Sequence, residues 1–418
     1  MNVLNRFLSE IIHQYNKRIK YKLKRNKKKK KPLLKIDSEY INWITDLKQN
    51  HSLFVPFTKE KYKRHSEDIK IFAYYLPQYY AIHENNESFG LGFTDWTNVA
   101  QATPQYIGHF HPKIPYDLGF YKLTDLSTIR RQVEIAKAYG IYGFCFYYYW
   151  FSGKSLLDIP IKLFLNSDID FHFHFCWANE NWTRRWDGGN NEIIMEQKLE
   201  ETDFDCFFYD ILPYIKDKRY EKIGNRPMLI IYQPELFPKK TFIDFCNRIN
   251  HLATTEGFNG FFITITPFRF AGNNPKELFI DGVTEFNPHG MECEDVIKKT
   301  INPKAIINIH NVKKYLHNNL HLKTFSNCLT FKSCFPDWDN SPRKLFQGCD
   351  IFDMDFNDFE KWLFDIIQWT KQNNERDKQY VYINAWNEWA ESAILEPTTR
   401  YGYKNLEIVK RCIEKTRK

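Results

Sequence analysis

Eight short apolar runs alternating with helical patterns constrain this chain more than any other feature. The runs fall at residues 71–76, 142–148, 171–177, 228–232, 260–266, 283–286, 328–331 and 380–385. Helical spacing of apolar residues appears between them, at 126–139, 204–215, 241–254, 305–318 and 359–371. Strand-like runs alternating with helices over some 350 residues predict an α/β fold, a (β/α)₈ TIM-type barrel with long βα loops. The sixth and seventh runs carry the weakest pattern, and no internal repeat is evident. The barrel is expected to occupy 69–418, after a connector at 37–68 and a basic N-terminal helical extension at 1–36.

Such a barrel makes a positional prediction, because active sites of this fold lie past the C-terminal ends of the strands. Past the first run stand Tyr75, Gln78 and the loop residue Trp96, and the second run ends in Tyr148 and Trp150. Beyond the third comes Trp177-Ala178-Asn179-Glu180-Asn181-Trp182-Thr183-Arg184-Arg185. Asn287 follows the sixth, Trp338 the seventh, and the eighth delivers Trp386-Asn387-Glu388-Trp389-Ala390-Glu391. This last segment places two carboxylates three residues apart between indoles. Tryptophan faces stack on sugar rings, and a carboxylate pair is what glycosidic-bond chemistry uses. A structural ion pair is the competing explanation, since ion pairs also perturb carboxylates.

Charge is divided sharply along the chain. Residues 1–36 hold 13 Lys and Arg against Glu10 alone, whereas the remainder holds 46 basic against 50 acidic residues. Within the extension, Val3, Leu4, Phe7, Leu8, Ile11, Ile12, Tyr15 and Ile19 form a helical apolar stripe, followed by a polybasic run from Lys17 to Lys31. That pattern suits an anionic membrane surface, at roughly 1 kcal/mol per basic residue. Docking on the protein's own body or a solvated lysine run are the alternatives. Nucleic acid is not expected as a partner, because no aromatic interleaving accompanies the charge. The nine cysteines form no CxxC pair and read as reduced, buried thiols, with no metal site and no disulfide framework. With no signal peptide and no apolar run long enough to span a bilayer, the expected location is cytoplasmic, peripheral on the inner face of the cell membrane if the tail binds it. Aromatics make up 17% of the chain, well above ordinary usage; most of the Phe and Tyr must be core, and the excess suits a protein presenting ring faces to a ligand.

Several long motifs, in order, resemble one family. Tyr75-Leu76-Pro77-Gln78, Gly92-Phe93-Thr94-Asp95-Trp96-Thr97-Asn98, the aromatic run 143–151, the segment 177–188 and Asn384 to Glu391 are similar to WbsX-type proteins. That family is usually labelled as glycosyltransferases of lipopolysaccharide O-antigen and other surface-polysaccharide gene clusters. The same segments resemble the barrel of glycoside hydrolase family 99, the endo-α-mannosidases and endomannanases. The resemblance covers about residues 70–400 and leaves the tail outside. One departure is Ser392, where glycine is expected after the second glutamate. The resemblance implies that Glu391 acts as general acid/base on the glycosidic oxygen. It also implies that Glu388 acts as a base on the substrate's own 2-hydroxyl, which attacks the anomeric carbon with net retention. Spacing by itself fixes neither role.

The resemblance further implies a glycan or lipid-linked polysaccharide as substrate, with or without a nucleotide-sugar donor, and no cofactor. The residues expected to line the sugar site are Tyr75, Gln78, Trp96, Tyr148, Trp150, Trp177, Asn179, Glu180, Asn181, Trp182, Arg184, Arg185, Asn287, Trp338, Trp386, Asn387 and Trp389. Glu180 with its flanking asparagines either binds sugar hydroxyls or braces the arginines, and the arginines either hold a phosphate or pair locally. His172 and His174 share a strand face but read as core. His109 and His111 sit in a long loop and stay open. DxD occurs four times, and only Asp337-Trp338-Asp339 falls on the expected catalytic face. No GxGxxG or P-loop appears. The expected activity is glycosyl transfer or transglycosylation in surface-polysaccharide biosynthesis. The alternatives are a retaining endo-acting hydrolase and a non-catalytic glycan-binding protein.

Overall fold

The computed structural model describes residues 38–47, 52–184, 192–266, 278, 280–298, 300–301, 304–324, 328–344 and 347–417. The chain separates into two units, 1–49 and 50–418. In the first, Ser38–Leu47 is helical. The basic stripe at 1–31 lies outside the described residues.

The second unit is the barrel. Its strands are β1 Lys70–Tyr75, β2 Gly143–Phe151, β3 His172–Trp177, β4 Arg226–Ile231, β5 Phe262–Ile265, β6 Gly282–Thr284, β7 Leu329–Cys334 and β8 Tyr380–Ile383. Every neighbouring pair is parallel, and β1 bonds both β2 and β8, which closes the ring. Each of the eight expected runs overlaps one of these strands. They are legible because parallel strands covered on both faces are continuously apolar. All nine residues of β2 are buried, for instance.

The helices that cover the barrel are α1 Leu126–Ala138, α2 Ile159–Leu165, α3 Glu201–Ile215, α4 Lys239–Thr255, α5 Val312–His317, α6 Phe356–Asn373 and α7 Lys404–Lys415. Among the described residues no helix joins β5 to β6. One expectation fails: 305–318 is not one helix. Its first half, Ile306–Asn311, is a strand paired in parallel with Gln347–Asp353, and only Val312–His317 is helical. The β-branched Ile306, Ile307 and Ile309 favour a pleated surface, and pairing to a distant segment decides the conformation.

The interior of the barrel is aromatic. Phe72 meets His174 across it at a ring distance of 4.7 Å, Tyr74 meets Phe286 at 4.7 Å, and Tyr382 Oη bonds His174 Nε2 at 3.0 Å. His174 is fully buried, and burial lowers its pKa to about 4, so it is a neutral core residue. Much of the aromatic excess therefore fills the barrel instead of facing a ligand. At the N-terminal rim, Glu221 accepts hydrogen bonds from Lys70 Nζ at 2.8 Å and Tyr380 Oη at 2.6 Å, with His172 Nδ1 at 3.1 Å. All nine cysteines are free. Cys206 is exposed and Cys293 and Cys328 are half-buried, so the expectation of uniformly buried thiols holds only in part.

Candidate active site

The C-terminal end of β8 runs into a hairpin, Asn387–Glu388 against Ala393–Ile394, with a 3₁₀ turn over Trp389–Glu391. The hairpin carries Glu388 on its first strand and Glu391 at the end of the turn. Glu388 is buried and Glu391 half-buried. Arg343, from the short helix Ser341–Lys344, spans them: Nη2 reaches Glu388 Oε1 at 2.9 Å and Nη1 reaches Glu391 Oε1 at 2.6 Å. The same Nη2 lies 2.8 Å from Asp95 Oδ2. Gln78 Nε2 closes the ring, bonding Asp95 at 2.5 Å and approaching Glu388 Oε2 at 3.4 Å.

Three carboxylates thus share one guanidinium. Burial is the main influence that pushes the Glu388 carboxyl well above the usual carboxylate range. Glu391 and Asp95 push the same way, and Arg343 opposes them. The Arg343 guanidinium, half-buried, is held in its charged form by the three acids. Tyr149 Oη sits 3.5 Å from Gln78 Oε1, and the Tyr149 and Tyr232 hydroxyls both lie in the field of Glu180. The cleft is therefore acidic and walled by Tyr149 and Tyr232.

Strand parity decides which of the expected residues reach this cleft. Successive side chains of a strand point to opposite faces. Tyr147 and Tyr149 of β2 turn inward, Tyr147 against Tyr74 and Tyr232. Tyr148 and Trp150 turn outward, where Tyr148 Oη bonds Asp210 at 3.1 Å and Trp150 packs on Phe207, both on α3. Tyr75 is outward too, its hydroxyl donating to Gln132 on α1 at 2.7 Å. Trp177 packs on Phe207, Phe237 and Phe245, and Trp386 on Phe144. These five side chains belong to the barrel–helix layer, away from the carboxylates.

The asparagines tie backbones together. Asn179 bonds Gln233 in both directions at 2.6 and 2.7 Å, and Asn387 does the same to Leu76 at 2.8 and 3.0 Å. Asn181 Oδ1 accepts from Gln197 N at 2.7 Å, and Asn287 Nδ2 donates to Ser333 O at 2.8 Å. Asn179, Asn287 and Asn387 each tie the segment past one strand to the neighbouring strand or its end, whereas Asn181 closes its own βα loop. Trp182 stands edge-on to Tyr149 at 5.1 Å, whereas Trp96 packs on Tyr79 and Trp389 and donates Nε1 to Tyr121 O at 2.8 Å. Trp338 is buried edge-on against Phe352. Arg184 lies 3.8 Å from Glu192, an ion pair within its own loop, and Arg185 is outside the described residues.

Behind the hairpin, Glu396 is buried and accepts from Trp389 Nε1 at 2.7 Å, Gln132 Nε2 at 2.7 Å and Tyr121 Oη at 2.8 Å. Burial raises its pKa to about 7 against those donors. It anchors the hairpin from behind.

Neither Asp337 nor Asp339 is free for a donor. Asp337 pairs with Lys113, and Asp339 Oδ2 takes Nε2 of His109 at 2.7 Å and of His111 at 2.5 Å. The two histidines and Asp339 are, among the described residues, the one His/Cys/Asp/Glu group close enough to hold a metal. Their hydrogen bonding does not fit one. The Gln105 amide donates to His109 Nδ1 at 3.0 Å, which puts the ring proton on Nε2, the atom a metal would need bare. The group is instead a buried brace: Asp339 N donates to Glu391 O at 2.7 Å and so holds the turn that carries the second carboxylate.

Sequence reasoning missed Asp95 and Arg343 as site members, along with Tyr149. Asp95 lies inside the Gly92–Asn98 motif, and Tyr149 lies between Tyr148 and Trp150. Arg343 carried no local signal, because it enters from a loop after β7.

A closed (β/α)₈ barrel with acids at its C-terminal mouth is an architecture of carbohydrate-active enzymes. The protein shares its fold with a GH99 endo-alpha-mannosidase from Bacteroides thetaiotaomicron at a TM-score of 0.50 and 13% identity, over 84% of this chain and 98% of the other. A glycoside hydrolase-like protein aligns equally, at a TM-score of 0.50 and 14% identity over 86% and 98%. The chain belongs to the family described as Glycosyltransferase WbsX, whose pattern it matches over residues 71–409. It is 33% identical over 353 residues to WxcX of Xanthomonas campestris, a protein described as uncharacterized; the match covers 82% of this chain and 49% of WxcX. The chain thus spans about half the length of that relative. No described helix is long and apolar enough to cross a membrane.

Proposed function

We propose that this protein transfers sugar residues within a surface polysaccharide or its lipid-linked precursor, by general acid–base chemistry at Glu388 and Glu391. The observation that carries this reading is the Arg343 guanidinium bonded at once to both carboxylates, at 2.9 and 2.6 Å, in the mouth of the barrel. On the route the family resemblance implies, Glu388 removes the proton of the substrate's 2-hydroxyl and O2 attacks C1. Glu391 meanwhile protonates the departing glycosidic oxygen. An acceptor hydroxyl then attacks C1 and returns its proton to Glu391, while O2 regains one from Glu388, giving retention. Burial and the neighbouring acids push the Glu388 carboxyl up, and Arg343 opposes them, which favours the carboxylate form that a base requires. Water in place of the acceptor makes the protein a retaining endo-hydrolase. The pairing of Asp337 and Asp339 with Lys113 and two histidines favours that second reading over a metal-bound nucleotide donor.

Two measurements test the proposal. Glu391→Gln should abolish turnover and keep glycan binding, because an amide cannot transfer the proton; full activity would refute the assignment. Mass spectrometry of the host's lipid-linked polysaccharide, incubated with and without nucleotide sugars, separates the two activities. Redistribution of chain lengths without a nucleotide sugar identifies transfer within the glycan, net fragmentation identifies a hydrolase, and mass gain only with a nucleotide sugar refutes this route. The basic extension is proposed to hold the enzyme at anionic lipid. Deleting residues 1–31 should release it from phosphatidylserine vesicles, and unchanged sedimentation with them would eliminate that role.

A further inference from the structure

Glu396 is a buried acid that the proposed chemistry does not use. It stands just past Ala393–Ile394, the second strand of the catalytic hairpin, and its backbone N donates to Trp386 O at 3.1 Å. Three elements aim donors at its carboxylate. Oε2 accepts from Trp389 Nε1 at 2.7 Å and from Tyr121 Oη at 2.8 Å, and Oε1 accepts from Gln132 Nε2 at 2.7 Å. Trp389 belongs to the catalytic turn, Tyr121 to the loop after β1 and Gln132 to α1. Gln132 is itself bonded by the Tyr75 hydroxyl at 2.7 Å.

All three donors are neutral, and no lysine, arginine or histidine among the described residues is ion-paired with Glu396. The titratable groups in its field are Tyr75, Tyr79 and Tyr121, whose phenols burial raises well above their usual range, so they stay uncharged. Tyr79 stands between Glu396 and the catalytic acids: it also feels Glu388 and Asp95, and its hydroxyl accepts the Trp389 amide at 3.0 Å. A buried carboxylate without a cation is costly, and only its hydrogen bonds hold it charged. Burial and the three donors oppose each other and leave the carboxyl at about 7. An indole N–H can only donate, and it bonds a carboxylate roughly twice as strongly as a neutral acid. Loss of the charge therefore slackens the hold on Trp389, which directly follows Glu388 and opens the turn that ends in Glu391.

We propose that Glu396 is a positioning residue for the catalytic turn: as a carboxylate it fixes the Trp389 indole and with it Glu388 and Glu391, and as a neutral acid it loosens them. The effect on the indole follows from the geometry, and its bearing on turnover rests on the roles proposed for the two glutamates.

The test is fluorine NMR of the full chain labelled with 5-fluorotryptophan, followed from acid to alkaline pH. Of the 11 tryptophans, Trp389 is identified by the resonance missing in Trp389→Phe. That resonance should titrate with a midpoint near pH 7. The titration should persist in Glu388→Gln and vanish in Glu396→Gln. Tyr121→Phe removes one donor to the carboxylate and should move the midpoint to higher pH. A resonance flat across pH, a titration that survives Glu396→Gln, or an unmoved midpoint in Tyr121→Phe overturns the proposal. In steady state, Glu396→Gln and Trp389→Phe should each lower kcat by up to about 10²-fold, the cost of a slightly misplaced catalytic group. The double variant should lose no more than either, because the two act as a unit, and additive losses would refute the link to turnover. The resonance is read without substrate, so a wild-type protein that titrates as expected but turns over no glycan overturns the proposed activity and not the hold on Trp389.

Discussion

At the scale of single residues, the site is governed by Arg343. One guanidinium counters three acids, and burial already pushes the Glu388 carboxyl up. Arg343→Met should reduce turnover by about 10²–10³-fold, the range seen when one preorganised charged or hydrogen-bonding group is lost from a site. The acid limb of the pH–rate profile should move to higher pH, because the one influence lowering the Glu388 pKa disappears; Arg343→Lys should restore part of both. Steady-state rates across pH check this, and an unmoved acid limb would show that Arg343 does not set the protonation of the pair. The two glutamates themselves were legible from the motif after β8. Asp95 and Arg343 were not read as their partners. Contact between residues 95, 343, 388 and 391 depends on loops from three strands meeting, and no local pattern records a meeting.

At the scale of elements, the start of β2 shows how tightly the barrel is closed. A Cβ on Gly143 would lie 2.3 Å from the Phe72 ring and 2.6 Å from His172 O, so both neighbouring strands exclude any side chain there. Gly143→Ala should destabilise the fold by about 1–3 kcal/mol, the usual cost of overpacking, read as a lower denaturant midpoint at unchanged slope. The aromatic run that follows this glycine illustrates a limit of sequence reading. The run forms a strand as expected, but Tyr147 and Tyr149 face the cleft, and Tyr148 and Trp150 face the helices. With every position apolar, the period-2 signal that assigns faces is erased, and a shift of one residue inverts every side chain. The helix expected at 305–318 failed for a related reason, since Ile306–Asn311 becomes a strand only through its pairing with Gln347–Asp353.

At the scale of the whole molecule, the two rims of the barrel have opposite electrostatics. The C-terminal mouth raises a carboxyl pKa, whereas at the N-terminal rim Glu221 is buried yet held down to about 2 by His172, Lys70 and Tyr380. A depressed acid stabilises the fold above its unfolded value, here near 4.5, and that contribution is lost as pH falls through about 2. The difference corresponds to about 3 kcal/mol. Denaturation from pH 7 down to pH 2 should show wild-type stability falling below pH 4.5, with a flatter dependence in Glu221→Gln; parallel curves would remove Glu221 from the acid response. The sequence by itself determined the number and order of the strands, and it put Glu388 and Glu391 together past the last of them. Those properties are local, set by apolar runs, by period and by motifs contiguous in the chain. The tertiary structure alone decided which aromatics face the cleft, that the asparagines brace loops, that His109 and His111 share Asp339, and that Arg343 joins the two glutamates. Each of these depends on side chains brought together from distant loops, where packing and the burial of charge set the outcome.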